Sequence, residues 1–344
     1  CIEPRVPRVD DGPVAGLDRG GRGERREGAR ESCERVIARD TGVRDEQEVE
    51  AIKAELGITN LICTIEKPSI ESFNALCSSD DVNLLCITGG PAVVDAAMKT
   101  GKRALCAGPG NPPVVVDDCH ALDFDKVAQD IIFGGGFDNN LLCIGEKQVF
   151  GVGDSYQKTI DAFQRQGAVL LNRSQTEALK KEVFDIKDGG GGCSHVALNR
   201  KYIGADAPVL AKVAGLTVDP KTEMLITEVE ADDLFVIEEQ MMPIMPIVRA
   251  KSFREGVRMA KESEHNYKHS AMVHTMNVSN MTLMAQAMDT TIFVKNGPCT
   301  AGLGMGGEGY ISFSIATTTG EGITTPRTFT RFRRCTLVDQ LNLF

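Results

Sequence analysis

From about Glu48 onward, short β-type apolar runs alternate with stretches of helical spacing, and no other feature constrains the fold so strongly. Leu61–Ile65, Asn83–Thr88, Arg103–Cys106 and Val114–Val116 read as strands, with helices over Ser69–Cys77 and Pro91–Lys99. A second series follows: helix Phe124–Ile132, strand Gln148–Val152, and helices Tyr156–Gln166 and Ser174–Val183. Strand Ile244–Val248, helix Phe253–Glu262, strand Ala271–His274, helix Ser279–Met288 and strand Thr291–Val294 complete it. Parallel neighbours need a crossover between strands, so this alternation predicts βαβ units and an α/β class. At 344 residues the chain is long enough for two domains and more than one core.

Composition narrows the function class. A net charge of −10 argues against a protein that tracks nucleic-acid phosphates. None of the apolar runs reaches the ~18 residues a membrane helix needs, so no membrane partner is expected. The eleven cysteines are odd in number and lack CxxC spacing, which reads as reduced thiols in a cytoplasmic protein. The first 45 residues hold ten arginines and no lysine. They are rich in glycine and proline, lack aromatics and interleave acidic residues, so residues 1–45 are expected to be a disordered tail rather than a basic nucleic-acid arm. Thr325–Phe344 reads as an extended arm with four arginines.

Several residues have types and settings that suit chemistry. Thr88-Gly89-Gly90-Pro91 joins a strand to a helix, where Thr88 is expected to cap the helix and free N–H groups to face a pyrophosphate. Ala107-Gly108-Pro109-Gly110 follows the next strand; neither turn is a GxGxxG fingerprint, and an ordinary strand–helix turn is the plainer reading of each. Cys143 follows the turn-forming run Asp138-Asn139-Asn140, which is not how a core thiol is placed, although no histidine lies nearby in sequence to activate it. His120, His195, His265, His269 and His274 read as surface or satisfied core residues, and no HExxH zinc arrangement is present. Glu239, before an apolar strand, suits a ribose contact or a solvated loop end. The glycine runs Gly134–Gly136 and Gly189–Gly192 are expected to be flexible and are not phosphate loops, and Asn296-Gly297-Pro298-Cys299 marks a dense turn.

The order of these features is more specific than any one of them. Gly108 to Asp117 (GPGNPPVVVD), Phe137 to Cys143 (FDNNLLC), Glu239 to Pro243 (EQMMP), Ile292 to Gly309 and Thr319 to Cys335 together resemble the CoA-acylating aldehyde dehydrogenases. The similarity is greatest to the propionaldehyde and acetaldehyde dehydrogenases of bacterial microcompartments, which serve ethanolamine or propanediol utilisation. It runs from about Ile58 to Gln340. It implies the aldehyde dehydrogenase fold, with three-layer parallel-sheet domains: a partial cofactor domain over 46–113, a catalytic domain over 114–318 and an oligomerisation arm over 319–344.

The same resemblance implies roles. Cys143 would be the nucleophile, Thr88, Gly89 and Gly90 would lie beside the nicotinamide and pyrophosphate of NAD, and Glu239 would hold the ribose. Met241, Asn140, Asn296, Pro298 and Cys299 would wall the pocket. It implies an aldehyde and coenzyme A as substrates, NAD as cofactor, no metal, a homo-oligomer, and shell proteins of a microcompartment as partners. Hydrolytic relatives carry a general-base glutamate five residues before the position of Asn111; here Cys106 stands there, so acyl transfer to a thiol is expected over hydrolysis. The opening does not match the family's early cofactor domain, which includes an Asn that donates to the oxyanion. The chain is therefore expected to be a fragment or an altered start, and the competing reading is a catalytically silent homologue that keeps only assembly contacts.

Overall fold

Three consecutive valines, Val114–Val116, lie on an interior strand of the largest sheet and are fully buried, as a strand covered on both faces requires. The computed structural model describes residues 43–57, 61, 63, 65, 67–189 and 193–338. The chain divides into two units, Cys1–Asp80 and Asp81–Phe344.

The first unit contributes two described helices, α1 (Val43–Leu56) and α2 (Ile70–Ser78). Helix α2 starts at a reciprocal box in which the Ser69 hydroxyl accepts from the Ser72 N–H at 3.2 Å and the Ser72 hydroxyl accepts from the Ser69 N–H at 2.9 Å. Of the stretch expected to be tail, residues 1–42 lie outside the described residues, and α1 begins within its last three. The expected strand Leu61–Ile65 is not found: its described residues 61, 63 and 65 belong to no strand.

The second unit opens with a βαβ turn of chain. Strands β1 (Leu84–Thr88) and β2 (Arg103–Ala107) pair in parallel around helix α3 (Pro91–Met98). Beyond them β3 (Pro113–Val116) starts a seven-stranded sheet with β4 (Gln148–Val152), β5 (Val169–Leu171), β8 (Leu225–Glu228), β9 (Ile244–Ala250), β10 (Ser270–His274) and β11 (Ile292–Lys295). Its order is β11-β10-β3-β4-β9-β8-β5 and every pairing is parallel. A hairpin, β6 (Phe184–Gly189) with β7 (Cys193–Leu198), lies outside that sheet.

Successive strand residues point to opposite faces, and the core divides accordingly. Val114, Val116, Val149 and Ile247 meet helices α4 (Phe124–Gly136) and α5 (Ser155–Arg165) through Val127, Ile131, Ile160 and Phe163. Val115, Phe150, Val248 and Val273 meet α8 (Phe253–Ser263) and α9 (Val278–Met288) through Val257, Ala260, Met284 and Met288. A third cluster covers the β5 end with α6 (Arg173–Val183) and α7 (Ala207–Val213). This is the α/β class expected from the alternation.

Three expectations need correction. Thr88 does not cap α3: its N-cap is Gly90, at φ −68° and ψ 168°, and no side chain bonds the first turn. The Gly134–Gly136 run is not a flexible segment but the end of α4; Gly134 and Gly135 are buried, and a Cβ there would strike the Glu146 carboxylate or the Met245 methyl. The C-terminal run is not simply extended, since Pro326–Phe329 forms a 3-10 turn. Residues 190–192 and 339–344 lie outside the described set. The terminal segment docks on β2 instead of standing free: Thr318 N–H donates to the Cys106 carbonyl at 3.1 Å, and Arg103 donates to the carbonyls of Thr328 and Thr330 at 2.6 and 2.7 Å.

Candidate active site

Helix α4 delivers the chain to a short turn, Phe137–Asn140, in which three consecutive residues hold left-handed backbone: Asp138 at φ 50°, Asn139 at φ 50° and Asn140 at φ 62°. Asn and Asp tolerate that region better than other side chains, yet each such residue costs about 1–3 kcal/mol unless its surroundings hold it. Here they do. Asn139 Nδ2 donates to the Gly204 carbonyl at 2.9 Å and to Asp206 Oδ1 at 2.8 Å. Asn140 is wholly buried and donates to the Glu146 carbonyl at 3.0 Å. Lys147 Nζ donates to both the main-chain and the side-chain oxygen of Asn140, at 2.7 and 2.8 Å.

Cys143 leaves this turn half-buried. Burial pushes its thiol up, the Glu239 carboxylate pushes it up further, and the Lys147 ammonium with the N–H groups of Cys143 and Ile144 pull it down. Beneath it lies Gly110, where a Cβ would stand 2.5 Å from the Cys143 carbonyl oxygen and 3.1 Å from the His269 ring. Only glycine allows that approach. The Gly110 N–H in turn donates to the Glu239 carboxylate.

Glu239 is mostly buried, not solvated at a loop end, and its carboxylate lies 3.7 Å from Lys147 Nζ. Burial raises the Glu239 carboxyl and lowers the Lys147 ammonium, and each partner works against the other's shift. Next to Glu239, Gln240 Nε2 donates to the Lys147 carbonyl at 2.9 Å, and Met241 takes a left-handed φ of 50° while its carbonyl accepts from Gly204 N–H.

Sequence reading passed over three members of this cluster. Lys147 reads as a surface charge in Gly-Glu-Lys-Gln, yet it is fully buried. His269 was expected to be a surface or satisfied core residue; it is buried, its Nδ1 lies 2.8 Å from the Ser270 hydroxyl, and its Nε2 has no hydrogen-bond partner among the described residues. Burial, then the Lys147 charge, lowers its pKa to about 4, so it is neutral at pH 7. Glu146 is fully buried, and burial raises its carboxyl to about 7. Its Oε1 accepts from the Cys299 N–H at 2.7 Å. No spacing in the sequence joins these residues, because the fold brings together loops at the ends of separate strands.

The other expected site residues fall into two groups. Cys299 reaches the cluster through Glu146, with Pro298 as N-cap of its 3-10 turn. Asn296, left-handed at φ 56°, spends its side chain on the backbone of Thr275 and the sulfur of Met276. Thr88, Gly89 and Gly90 end β1, where Gly89 N–H donates to the Ala107 carbonyl at 3.2 Å. Three residues span at most about 11 Å, so the Ala107 end of that ladder stays within reach of Gly110. A Cβ at Gly90 would meet nothing within 4 Å, which leaves the uncapped start of α3 open. Cys106, where hydrolytic enzymes carry their base, is fully buried, and burial raises its thiol. Among the described residues no helix is long and apolar enough to cross a membrane.

No protein-family model matches the chain. Known proteins do. Acetaldehyde dehydrogenase (acetylating) EutE of Salmonella typhimurium is 42% identical over 296 residues, 86% of this chain and 62% of that protein. A propionaldehyde dehydrogenase of Rhodopseudomonas palustris, solved with bound CoA and an acylated cysteine, is 41% identical with a TM-score of 0.76, covering 83% of this chain and 63% of that one. A cysteine-to-alanine mutant of the propionaldehyde dehydrogenase from the Clostridium phytofermentans fucose utilisation microcompartment is 38% identical with a TM-score of 0.78. The match covers 89% of this chain and 69% of that one. The chain thus spans about three fifths of the first relatives it matches, 62% in the case of EutE.

Proposed function

Because the chain belongs to the CoA-acylating aldehyde dehydrogenases, we propose that it converts acetaldehyde or propionaldehyde, coenzyme A and NAD into acyl-CoA and NADH through a thioester on Cys143. The observation that carries this reading is the setting of Cys143, a half-buried thiol at the end of a clamped left-handed turn, with Lys147 and Glu239 acting on its charge. The acylated cysteine named for the Rhodopseudomonas palustris relative supports the same covalent chemistry here.

The Cys143 thiolate attacks the carbonyl carbon, forming a C–S bond and leaving negative charge on the oxygen. The N–H groups of Cys143 and Ile144 already bond the sulfur and are available as donors for that charge. When bound, the nicotinamide supplies the acceptor for the hydride that leaves the hemithioacetal carbon. The chain fits such a group: at the uncapped start of α3, where Pro91 has no N–H and Val93 and Val94 donate to the Gly90 carbonyl, the Ala92 N–H is open to a pyrophosphate, and Glu239 stands between the Gly110 N–H and Lys147 with a carboxylate suited to ribose hydroxyls. Attack by the CoA sulfur on the thioester then restores Cys143 as thiolate.

Water is the competing acceptor. The position of a general base holds the buried Cys106 thiol, and a base is typically worth ~10²–10⁴-fold in rate. Acyl-CoA should therefore form at least ~10²-fold faster than free acid. Turnover with propionaldehyde and NAD, with and without CoA, tests it; equal acid and acyl-CoA rates contradict the reading. Exposed Tyr310, Ile311, Phe313 and Phe332 support self-association, and the microcompartment named for the Clostridium phytofermentans relative supports a lumen of that kind as the setting.

A further inference from the structure

We propose that Lys147 is the positioning residue of the nucleophile: one buried ammonium that clamps the left-handed turn before Cys143 and lends its positive charge to the thiol that the turn presents. The inference rests on Cys143 being the nucleophile, and it reaches a residue to which no role has been given.

Lysine is almost never fully buried unless its charge is matched, yet no part of this side chain reaches solvent. A spacer in an apolar setting would be served as well by methionine, without the cost of desolvating a charge. What the ammonium adds is direction. Its base is fixed at the start of β4, where the Lys147 N–H donates to the Pro112 carbonyl and the Lys147 carbonyl accepts from Gln240. Its tip takes both oxygens of Asn140, a pairing available because Asn140 is left-handed at φ 62°. One side chain therefore ties the start of the central strand β4 to the turn whose next residues lead to Cys143.

The same tip lies in a mixed electrostatic setting. Glu239 approaches it at 3.7 Å, the Cys143 and Cys299 thiols both feel its charge, and His269 is kept neutral partly by it. Cations near a thiol favour the thiolate, and the thiolate is the attacking form. Glu146 lies on the Cys299 side, and Asn140 Nδ2 bonds its carbonyl, so the clamp and the Cys299 turn share one loop.

The test compares Lys147→Met with Lys147→Arg in the full chain, reading the pH profile of Cys143 alkylation by iodoacetamide with the adduct mapped by mass spectrometry. Lys147→Met should move the midpoint up by about one pH unit and slow labelling at neutral pH about tenfold. Lys147→Arg, which keeps the charge, should stay within about threefold of the parent rate. A folded Lys147→Met chain with the parent midpoint, or a Lys147→Arg chain that titrates like Lys147→Met, overturns the proposal. If Lys147→Met does not fold alone, it is combined with Asp138→Gly and Asn139→Gly, which take left-handed backbone without strain. That chain should fold and show the raised midpoint; failure to fold, or an unmoved midpoint, overturns the proposal. The nucleophile reading fails separately, by acyl-CoA turnover in Cys143→Ala.

Discussion

Glu146 and Glu239 are two carboxylates beside different thiols, Cys299 and Cys143, and their surroundings give them different consequences. Glu146 is raised to about 7 by burial, so the folded chain holds a proton there that the unfolded chain releases near its ordinary value of 4.5. A raised carboxyl of this kind lowers stability as pH climbs from about 4.5 through 7. Glu146→Gln keeps an oxygen for the Cys299 N–H and removes the titration. Urea unfolding at pH 8 should find it more stable than the parent, by up to about 3 kcal/mol, with the gain gone at pH 4; an equal gain at both pH values would show that the buried charge is not the cause. Glu239 acts on the thiol instead. Since its carboxylate pushes the Cys143 thiol up, Glu239→Gln should lower the alkylation midpoint of Cys143, and an upward move would contradict the electrostatics. Gly110→Ala would press a methyl against the Cys143 carbonyl at 2.5 Å. It should cost about 1–3 kcal/mol in unfolding and slow Cys143 labelling, because backbone must move.

At the scale of elements, the sequence made most of the sheet legible and left its far edge hidden. Strands β3, β4, β9, β10 and β11 are apolar runs bounded by turns, and parallel strands buried on both faces leave that trace. Val169–Leu171 was passed over because it is only three residues long, and Leu225–Glu228 because its last two residues, Thr227 and Glu228, are polar, so neither reads as a bounded apolar run. Helix α7, seven residues long, hid by its shortness, as Val169–Leu171 did. Thr88 looked like a cap from its residue type, but the helix starts two residues later, at a glycine. Cys143 stood out in the sequence by its turn and by the family likeness, and these are what make it the proposed nucleophile. Lys147 did not stand out, because residue type encodes charge and leaves burial unstated. Helix α4 is capped by Asp123, whose carboxylate accepts from the N–H groups of Asp125 and Lys126 at 3.1 and 3.2 Å. Asp123→Ala should cost about 1 kcal/mol in urea unfolding without moving the Cys143 midpoint; a moved midpoint would show that α4 helps set the thiol's charge.

On the scale of the whole molecule, the site lies where separate loops converge: the Gly110 turn after β2, the Cys143 turn after α4, Glu239 before β9 and His269 before β10. These loops lead into the N-terminal ends of β3, β4, β9 and β10, strands that are neighbours in the sheet but far apart in sequence, which is why no linear spacing reveals the site. The terminal segment belongs to the same design, since Thr318 and Thr319 bond both backbone groups of Cys106, four residues before Gly110. Arg103→Ala removes two guanidinium bonds to Thr328 and Thr330, and amide exchange should speed up across residues 326–338 while the seven-stranded sheet is unchanged. The central claim is covalent catalysis by Cys143 with transfer to a thiol. Its most direct measurement is peptide mapping of the chain after incubation with propionaldehyde and NAD in the absence of CoA. The account predicts a propionyl group on Cys143 that disappears when CoA is added, with propionyl-CoA appearing in step. An acyl group carried by Cys106 or Cys299, or one on Cys143 that CoA does not remove, would contradict it.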